Sequence, residues 1–299
     1  TAVGYQALYT KSTGSSNTAM GYQAIYTDNG GIYNSAFGHQ ALKSQTAADY
    51  NTAIGTFALF SNTTASNNTA VGYQAGYSNQ TGAENTFVGY QAGDAATTAS
   101  YNTVMGSGAA GALTTGSNNT AVGQASMGVG VVTGADNSAF GLHSLLSLTS
   151  GASNTALGNY ALRSNTTASN NTAVGYQAGY SNTSGASNVA LGYQSLYINQ
   201  TGVAHVALGY QAMYSMTQGT YGSVAVGYQA GYATTSTGDI HAFGTQSFYQ
   251  NTTGAFNTGV GNPTATKVAS TSAPFQIGLF FLMETGIRGR LVLTMELGP

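Results

Sequence analysis

Apolar residues recur along this chain in short bursts of period two, and each burst ends at a glycine. The bursts read close to N-T-A-V-G and are usually followed by a phrase close to Y-Q-A-L-Y. Sixteen of these glycines, here called the marker glycines, are separated by thirteen intervals of 17 residues and two of 18. They are Gly4, Gly21, Gly38, Gly55, Gly72, Gly89, Gly106, Gly123, Gly141, Gly158, Gly175, Gly192, Gly209, Gly227, Gly244 and Gly261. Period-two alternation predicts β-strands, and the fixed interval predicts one structural unit stacked many times.

The repeat favours a β-solenoid over any helical fold. Glycine and β-branched residues recur every few positions, and both are poor helix formers. The array contains no proline, whereas Pro263, Pro274 and Pro299 all follow it, as expected of a continuous hydrogen-bonded ladder. We predict an all-β fold over residues 1–261, a homo-oligomeric parallel β-solenoid or β-roll of about sixteen 17-residue coils. Residues 262–299 break the repeat, and we predict that they cap the array or dock onto a neighbouring subunit.

The residue immediately before each marker glycine is apolar in all sixteen repeats, and we predict that this column forms the core. A Thr/Ser column two residues earlier shares the same strand face, and its drift to Val189, Val206 and Val224 supports burial of that face. The predicted core column includes Val71, Val88, Val122, Leu157, Val174, Leu191, Leu208 and Val226.

The opposite face of the same strand carries alanine in most repeats, followed by the marker glycine. A solvated strand face would alternate to polar residues, and this alanine column contains none. We therefore predict that another copy of the chain approaches this small-residue face closely. The predicted interchain face includes Ala70, Gly72, Ala121, Gly123, Ala173, Gly175, Ala190 and Gly192.

Tyrosine and asparagine also recur in columns. The Y-Q-A-L-Y phrase predicts a second short strand, on which tyrosines stack from coil to coil. Asparagine recurs four residues before the marker glycine, where it tolerates turn geometry and predicts an amide ladder along the stack. The predicted tyrosine ladder includes Tyr73, Tyr90, Tyr176, Tyr193, Tyr210 and Tyr228.

Composition limits the partners of the chain. Charged residues are 5% of the 299 and the formal net charge is -2, which indicates neither nucleic acid nor an anionic membrane as a partner. There is no cysteine, which excludes disulfides and thiolate metal sites. The longest uncharged apolar stretch outside the array, Ile277 to Met283, is too short to cross a bilayer, so we predict no membrane insertion. The neutral polar composition favours an extracellular location, on a cell surface or a virion surface.

No group of residues in the sequence predicts catalysis. His39, His143, His205 and His241 fall in different columns and distant coils, so they do not converge on a metal. The carboxylates are dispersed, with no pair in one column on neighbouring coils. We expect no catalytic residues, no cofactor and no metal site, and therefore no enzyme. Asn-x-Ser/Thr triplets in the connecting turns also match the acceptor motif for N-glycosylation.

Two phrases carry a family resemblance: N-T-A-V-G-Y-Q-A, at residues 68–75 and 171–178, and N-S-A-F-G, at residues 34–38 and 137–141. They resemble the head repeats of trimeric autotransporter adhesins and, more closely, the repeat arrays of phage tail-fibre-like proteins. The resemblance covers nearly all of the repeat array. It implies a left-handed parallel β-roll, usually trimeric, displayed outside a cell or on a virion. The present repeat is longer than is typical of adhesin heads.

These observations predict a non-enzymatic extracellular structural protein that associates with itself, as a trimer or a filament. It would form a surface filament, an adhesin or a phage tail-fibre shaft. The alternative is a glycan- or receptor-binding adhesin module that uses the Tyr/Gln ladder face, since exposed aromatic rings bind sugars. A glycan-binding module would lose glycan binding when residues of a single coil are substituted, as in Tyr176→Ala or Gln177→Ala. A fibre shaft would be little affected by the same substitutions.

Overall fold

The structure, a computed structural model, describes residues 1–10, 13–217, 222–235, 238–252 and 257–261, together with the backbone of 277–279. These residues form two compact units, unit 1 over Thr1–Asn154 and unit 2 over Thr155–Pro299. No helix of the described residues is long and apolar enough to traverse a lipid bilayer.

Both units are parallel β-solenoids with one short strand in each coil. The strands of unit 1 are Ala2–Val3 (β1), Thr18–Met20 (β2), Ser35–Phe37 (β3), Thr52–Ile54 (β4), Thr69–Val71 (β5), Thr86–Val88 (β6), Thr103–Met105 (β7), Thr120–Val122 (β8) and Ser138–Phe140 (β9). The strands of unit 2 are Thr155–Leu157 (β10), Thr172–Val174 (β11), Val189–Leu191 (β12), Val206–Leu208 (β13), Val224–Val226 (β14), Ile240–Phe243 (β15), Asn257–Val260 (β16) and Ile277–Leu279 (β17). The predicted fold class is confirmed, while homo-oligomerisation remains a prediction.

Equivalent residues of successive coils pair directly. Within unit 1 each strand pairs in parallel with the next, so that Ala53 lies opposite Ala70 and Ile54 opposite Val71. Unit 2 follows the same rule, and its last two strands, β16 and β17, are also parallel. Most of the predicted cap or docking segment, residues 262–299, lies outside the described residues, since only β17 belongs to it.

The predicted second strand is wrong, because the Y-Q-A-L-Y phrase forms a tight turn instead. Its glutamine and its leucine both adopt left-handed backbone, as at Gln40 with φ of 55° and Leu42 with φ of 51°. Two left-handed residues separated by one alanine turn the chain sharply, which an extended strand cannot do. The coil therefore closes within 17 residues using only three residues of strand.

Alanines from two columns and, in most coils, one larger side chain fill the narrow interior of each coil. The alanine column and a second alanine three residues after the marker glycine are buried, and so is the residue four positions after it, such as Leu42 or Leu59. Phe87 replaces alanine in one coil, and glycines at 76 and 93 make room for its ring. A Cβ on Gly76 would lie 2.7 Å from Cδ2 of Phe87, and one on Gly93 would collide with the same ring.

Because the coils are interchangeable units, removal of one whole coil is expected to preserve the fold. Deletion of residues 172–188 joins Asn171 to Val189 in the correct column and lowers the Tm by less than about 5 °C, as nearest-neighbour stacking predicts. Thermal unfolding followed by circular dichroism measures this. Deletion of only residues 172–180 shifts every later column and serves as the control. Equal loss of structure in both variants would contradict the account.

Candidate interaction surface

The two faces of each strand are reversed relative to the sequence prediction. Ala70, Ala121, Ala173 and Ala190, predicted to contact another chain, are buried inside their own coil. The predicted core column points outward instead. Leu157 and Leu191 are exposed, whereas Val71, Val88, Val122, Val174, Leu208 and Val226 are half-buried. The physical reason is space, because buried residues such as Leu42 and Leu59 already occupy the interior opposite the strand and leave room there for alanine but not for a second column of large side chains.

The marker glycines serve contacts within the chain. Gly72, Gly123, Gly175 and Gly192, also predicted to lie at an interchain face, have φ between 130° and 138°, a backbone conformation that L side chains rarely adopt. A Cβ on Gly175 would lie 2.6 Å from the carbonyl oxygen of Gly192, one coil further along. Close stacking of coils therefore requires these glycines, and the prediction of an interchain small-residue face is wrong.

This orientation of the strands leaves a band of mostly large side chains on the outside of each unit. We define the outward stripe as the residues immediately before and immediately after each marker glycine. The exposed apolar residues that precede a marker glycine are between 36% and 56% exposed. They are Val3, Met20, Phe37, Ile54, Met105 and Phe140 in unit 1, and Leu157, Leu191, Phe243 and Val260 in unit 2. Exposed tyrosines follow the marker glycine, including Tyr22 and Tyr73 in unit 1 and Tyr176 and Tyr193 in unit 2.

The stripe is both large and uncharged. At roughly 200 Å² for a fully exposed aromatic side chain, its exposed fractions correspond to on the order of 800 Å² of largely apolar surface in unit 1. Soluble monomers rarely leave a contiguous apolar patch much larger than a few hundred Å², unless it is an interaction site. No lysine, arginine, aspartate or glutamate occupies these two columns in any repeat of the array. The surface therefore suits an apolar partner.

The predicted tyrosine ladder is present within the stripe. Tyr176, Tyr193, Tyr210 and Tyr228 stack with ring centroids 5.0–5.4 Å apart and interplanar angles of 6–16°. Tyr73 stacks on Tyr90 at 5.5 Å. The next residue of each coil is usually glutamine, and these side chains form a parallel ladder in which Nε2 donates to Oε1 of the preceding coil at 2.7–3.1 Å. Most ring faces are thus covered by neighbouring rings, which leaves mainly ring edges and hydroxyl groups exposed.

A buried asparagine ladder joins the coils on the side of the strand start. In unit 1 the backbone N–H of each ladder asparagine donates to Oδ1 of the asparagine in the preceding coil, from Asn34 to Asn154, at 2.8–3.0 Å. The side-chain Nδ2 donates to a backbone carbonyl of the following coil, as from Asn85 to Ala99 at 2.8 Å. The predicted amide ladder is confirmed, and it supplies partners for polar groups that no water reaches.

His205 interrupts this ladder in unit 2. Its backbone N–H still donates to Oδ1 of Asn188 at 2.9 Å, but its buried imidazole has no hydrogen-bond partner at either Nδ1 or Nε2. Burial lowers the pKa of His205 to about 4, against a smaller opposing effect of the Asp239 carboxylate. The next ladder positions are Ser223 and Ile240, and Oγ of Ser223 accepts a hydrogen bond from the backbone N–H of Ile240 at 3.2 Å.

Acid is expected to destabilise unit 2 through His205. The folded chain holds the imidazole neutral down to a pKa of about 4, whereas the unfolded chain binds the proton near pH 6.5. Stability is therefore full above about pH 6.5 and falls by roughly 3 kcal/mol in total as the pH drops to about 4. Urea unfolding of wild type and His205→Asn at several pH values isolates this contribution, since the carboxylates are common to both. Parallel stability curves between pH 7 and 4.5 would contradict it.

The remaining candidate groups are placed as follows. The asparagines of six Asn-x-Ser/Thr triplets, among them Asn62, Asn79 and Asn165, are buried in the folded coil and out of reach of a glycosylating enzyme. Their Nδ2 atoms donate to turn carbonyls, as from Asn62 to Ala65 at 2.9 Å. Three further triplets begin at exposed asparagines, namely Asn67, Asn118 and Asn170. Among the described residues, no group of three or more His, Cys, Asp or Glu side chains is arranged to hold a metal ion.

Comparison with known proteins gives no relative: no protein-family model, no curated protein and no solved structure matches this chain.

Proposed function

We propose that this chain is a non-enzymatic structural protein of an extracellular fibre, in which copies of the chain associate side by side through the outward stripe. The observation that carries the proposal is the stripe itself, an uncharged apolar surface that recurs in both units. The resemblance of the repeat to tail-fibre-like and adhesin-head arrays supports a fibre shaft on a virion or a cell surface.

Three properties of the stripe favour a second copy of the chain as its partner. Its area in unit 1 alone approaches the roughly 800 Å² that each partner contributes to a standard protein interface. It carries no charge, so two copies face each other without electrostatic repulsion. Its side chains recur once in each coil, and only a partner with the same coil spacing matches that recurrence over many repeats.

The alternative function, glycan recognition by the Tyr/Gln face, has less support. Sugars stack on the faces of aromatic rings. In the ladder of Tyr176, Tyr193, Tyr210 and Tyr228, the ring faces between neighbouring tyrosines already contact each other. The glutamine amides beside them are likewise engaged with each other. A shaft needs these contacts along its own axis, whereas a sugar-binding surface needs the same groups free.

Charge on the stripe is expected to abolish association without unfolding the chain. Leu157→Glu combined with Leu191→Glu places two carboxylates two coils apart on exposed stripe positions, and like-charge contact weakens association by at least about 100-fold. The matched control, Thr167→Glu with Thr201→Glu, has the same two-coil spacing on exposed turn positions outside the stripe, and association is retained. Sedimentation velocity over a range of concentrations measures association, and circular dichroism checks the fold.

A charge exchange tests whether one stripe packs against another. A second variant carries lysine at both stripe leucines, and mixing it with the glutamate variant is expected to restore association that neither shows alone. No rescue on mixing would show that the stripe contacts some other surface. A wild-type chain that stays monomeric at every concentration would contradict self-association itself.

A further inference from the structure

Unit 2 contains a second tyrosine stack outside the outward stripe. Five tyrosines, each five residues after a marker glycine, form what we call the Tyr180 ladder. Its members are Tyr180, Tyr197, Tyr214, Tyr232 and Tyr249. Successive ring centroids are 5.0–5.1 Å apart, and interplanar angles are between 5° and 19°. All five side chains are half-buried, so each phenol keeps contact with solvent.

We propose that the Tyr180 ladder is a site of oxidative modification, at which phenols of neighbouring coils couple into dityrosine and link the coils covalently. The oxidant is hydrogen peroxide used by a haem peroxidase, or another one-electron oxidant of phenols. The coupled residues lie 17 or 18 positions apart in the sequence, and the product is a covalent bridge along the stack. This inference does not depend on how copies of the chain associate.

The chemistry of the coupling balances with that oxidant. Each of two phenols loses one electron and its hydroxyl proton, which gives two neutral phenoxyl radicals with spin density at the ring carbons Cε. One C–C bond forms between a Cε atom of each ring. The hydrogen on each coupled carbon then moves to the phenolic oxygen and restores both aromatic rings. Two electrons and two protons pass to one hydrogen peroxide molecule, which becomes two molecules of water.

Two features of the chain favour this outcome over competing oxidation. The sequence contains no tryptophan and no cysteine, so the side chains that most readily quench a tyrosyl radical are absent. It contains 21 tyrosines, and stacking holds five of them in a row with neighbouring ring centroids 5.0–5.1 Å apart, so coupling requires two neighbouring rings to turn until a Cε atom of each meets the other. A chain without cysteine cannot be stapled by disulfides, and tyrosine coupling is a covalent staple that needs no cysteine.

Two central phenols of the ladder, Tyr197 and Tyr214, hold their protons more tightly than a free tyrosine, because their pKa values are raised. Burial, followed by the neighbouring tyrosines Tyr180, Tyr176 and Tyr193, raises the pKa of Tyr197, and the pKa of Tyr214 is raised in the same way. Tyr197 and Tyr214 therefore carry no phenolate charge at neutral pH, and each oxidation step releases its proton to solvent.

The test uses the purified full chain with a haem peroxidase and hydrogen peroxide. Dityrosine fluorescence should rise, and peptide mass spectrometry should identify bridges such as Tyr197–Tyr214 and Tyr214–Tyr232. The bridged chain keeps the mass of a single chain in denaturing electrophoresis, and its Tm rises. Chain unfolded in urea before oxidation should lose the preference for partners 17 or 18 residues apart.

Phenylalanine variants separate the ladder from general tyrosine oxidation. Tyr197→Phe with Tyr232→Phe keeps the stacked rings but removes both phenols that neighbour Tyr214, and bridges at Tyr214 should be lost. The control, Tyr33→Phe with Tyr50→Phe, removes two phenols from a stacked pair of unit 1 and should leave the bridges of unit 2 unchanged. Bridges that join tyrosines of unrelated columns, or oxidation that yields methionine sulfoxide without dityrosine, would overturn the inference.

Discussion

Gly89→Ala is expected to destabilise unit 1 strongly. Gly89 has φ of 136°, and a Cβ there would lie 2.6 Å from the carbonyl oxygen and 2.8 Å from the carbonyl carbon of Gly106. Both contacts are to backbone that the next coil fixes in place, so neither can relax as a flexible side chain would. Backbone strain and overpacking together give a loss of roughly 4 kcal/mol or more in the free energy of unfolding.

Gly108→Ala is the matched control for this prediction. Gly108 also has a positive φ, 62°, but a Cβ there meets nothing within 4 Å. An alanine in left-handed backbone lowers the free energy of unfolding by about 1–2 kcal/mol. The Gly108→Ala variant therefore measures the effect of backbone strain without a steric clash. Denaturant unfolding of both variants and wild type gives the comparison. Equal destabilisation of the two variants would show that close coil stacking is not what the marker glycines provide.

Asn85→Ala is expected to break the buried amide ladder at one rung. Asn85 Oδ1 accepts hydrogen bonds from both the backbone N–H and Nδ2 of Asn102 at 3.0 Å, and Asn85 Nδ2 donates to the carbonyl of Ala99 at 2.8 Å. Alanine removes these bonds in a region that water does not reach. With about 1–3 kcal/mol for each buried group left unpaired, the free energy of unfolding falls by roughly 4 kcal/mol.

An exposed asparagine in left-handed backbone provides the control for the ladder. Asn118→Gly keeps the backbone φ of 58° accessible and removes a side chain that faces solvent, so stability changes by less than about 1 kcal/mol. Asn85→Asp separates the contribution of the accepting oxygen from that of the donating amide. Aspartate can still accept the hydrogen bonds from Asn102, but it cannot donate one to the carbonyl of Ala99. If the aspartate variant matched wild type at neutral pH, the donor half of the ladder would be dispensable.

The repeat period and the asparagine and tyrosine columns could be predicted because they depend only on the spacing of residues along the sequence. A period of 17 residues forces equivalent positions into register, and Asn34 over Asn51 or Tyr193 over Tyr210 follows from that alone. The parallel β-solenoid follows from the same recurrence, together with the absence of proline from the array.

The direction in which each strand faces was not predictable from the recurrence alone. Uniformly apolar residues such as Val71 and Leu191 suggested a core, and uniformly small residues such as Ala70 suggested a close interchain contact. The interior of the coil already holds the column that contains Leu42 and Leu59, so only the small set fits beside it. The apolar residues therefore lie on the outward face of the strand, and hydropathy alone cannot distinguish such a face from a buried one.

One signal in the sequence does identify the interior. The bulky Phe87 in the alanine column coincides with glycine at positions 76 and 93, where most coils carry leucine or a similar side chain. Compensation of volume between two columns means that their side chains share one enclosed space. The tight turn formed by the Y-Q-A-L-Y phrase could not be predicted in this way. Its glutamine and leucine adopt left-handed backbone, which neither residue type normally favours.

The central claim is that the outward stripe is buried between copies of this chain. Cryo-electron microscopy of the purified native assembly tests it most directly, through the number of chains in each cross-section and the face that each turns to its neighbour. Two or more chains in contact through the column that contains Leu157 and Leu191 would agree with the account. A single chain in every cross-section, or an assembly with that column facing solvent, would contradict it.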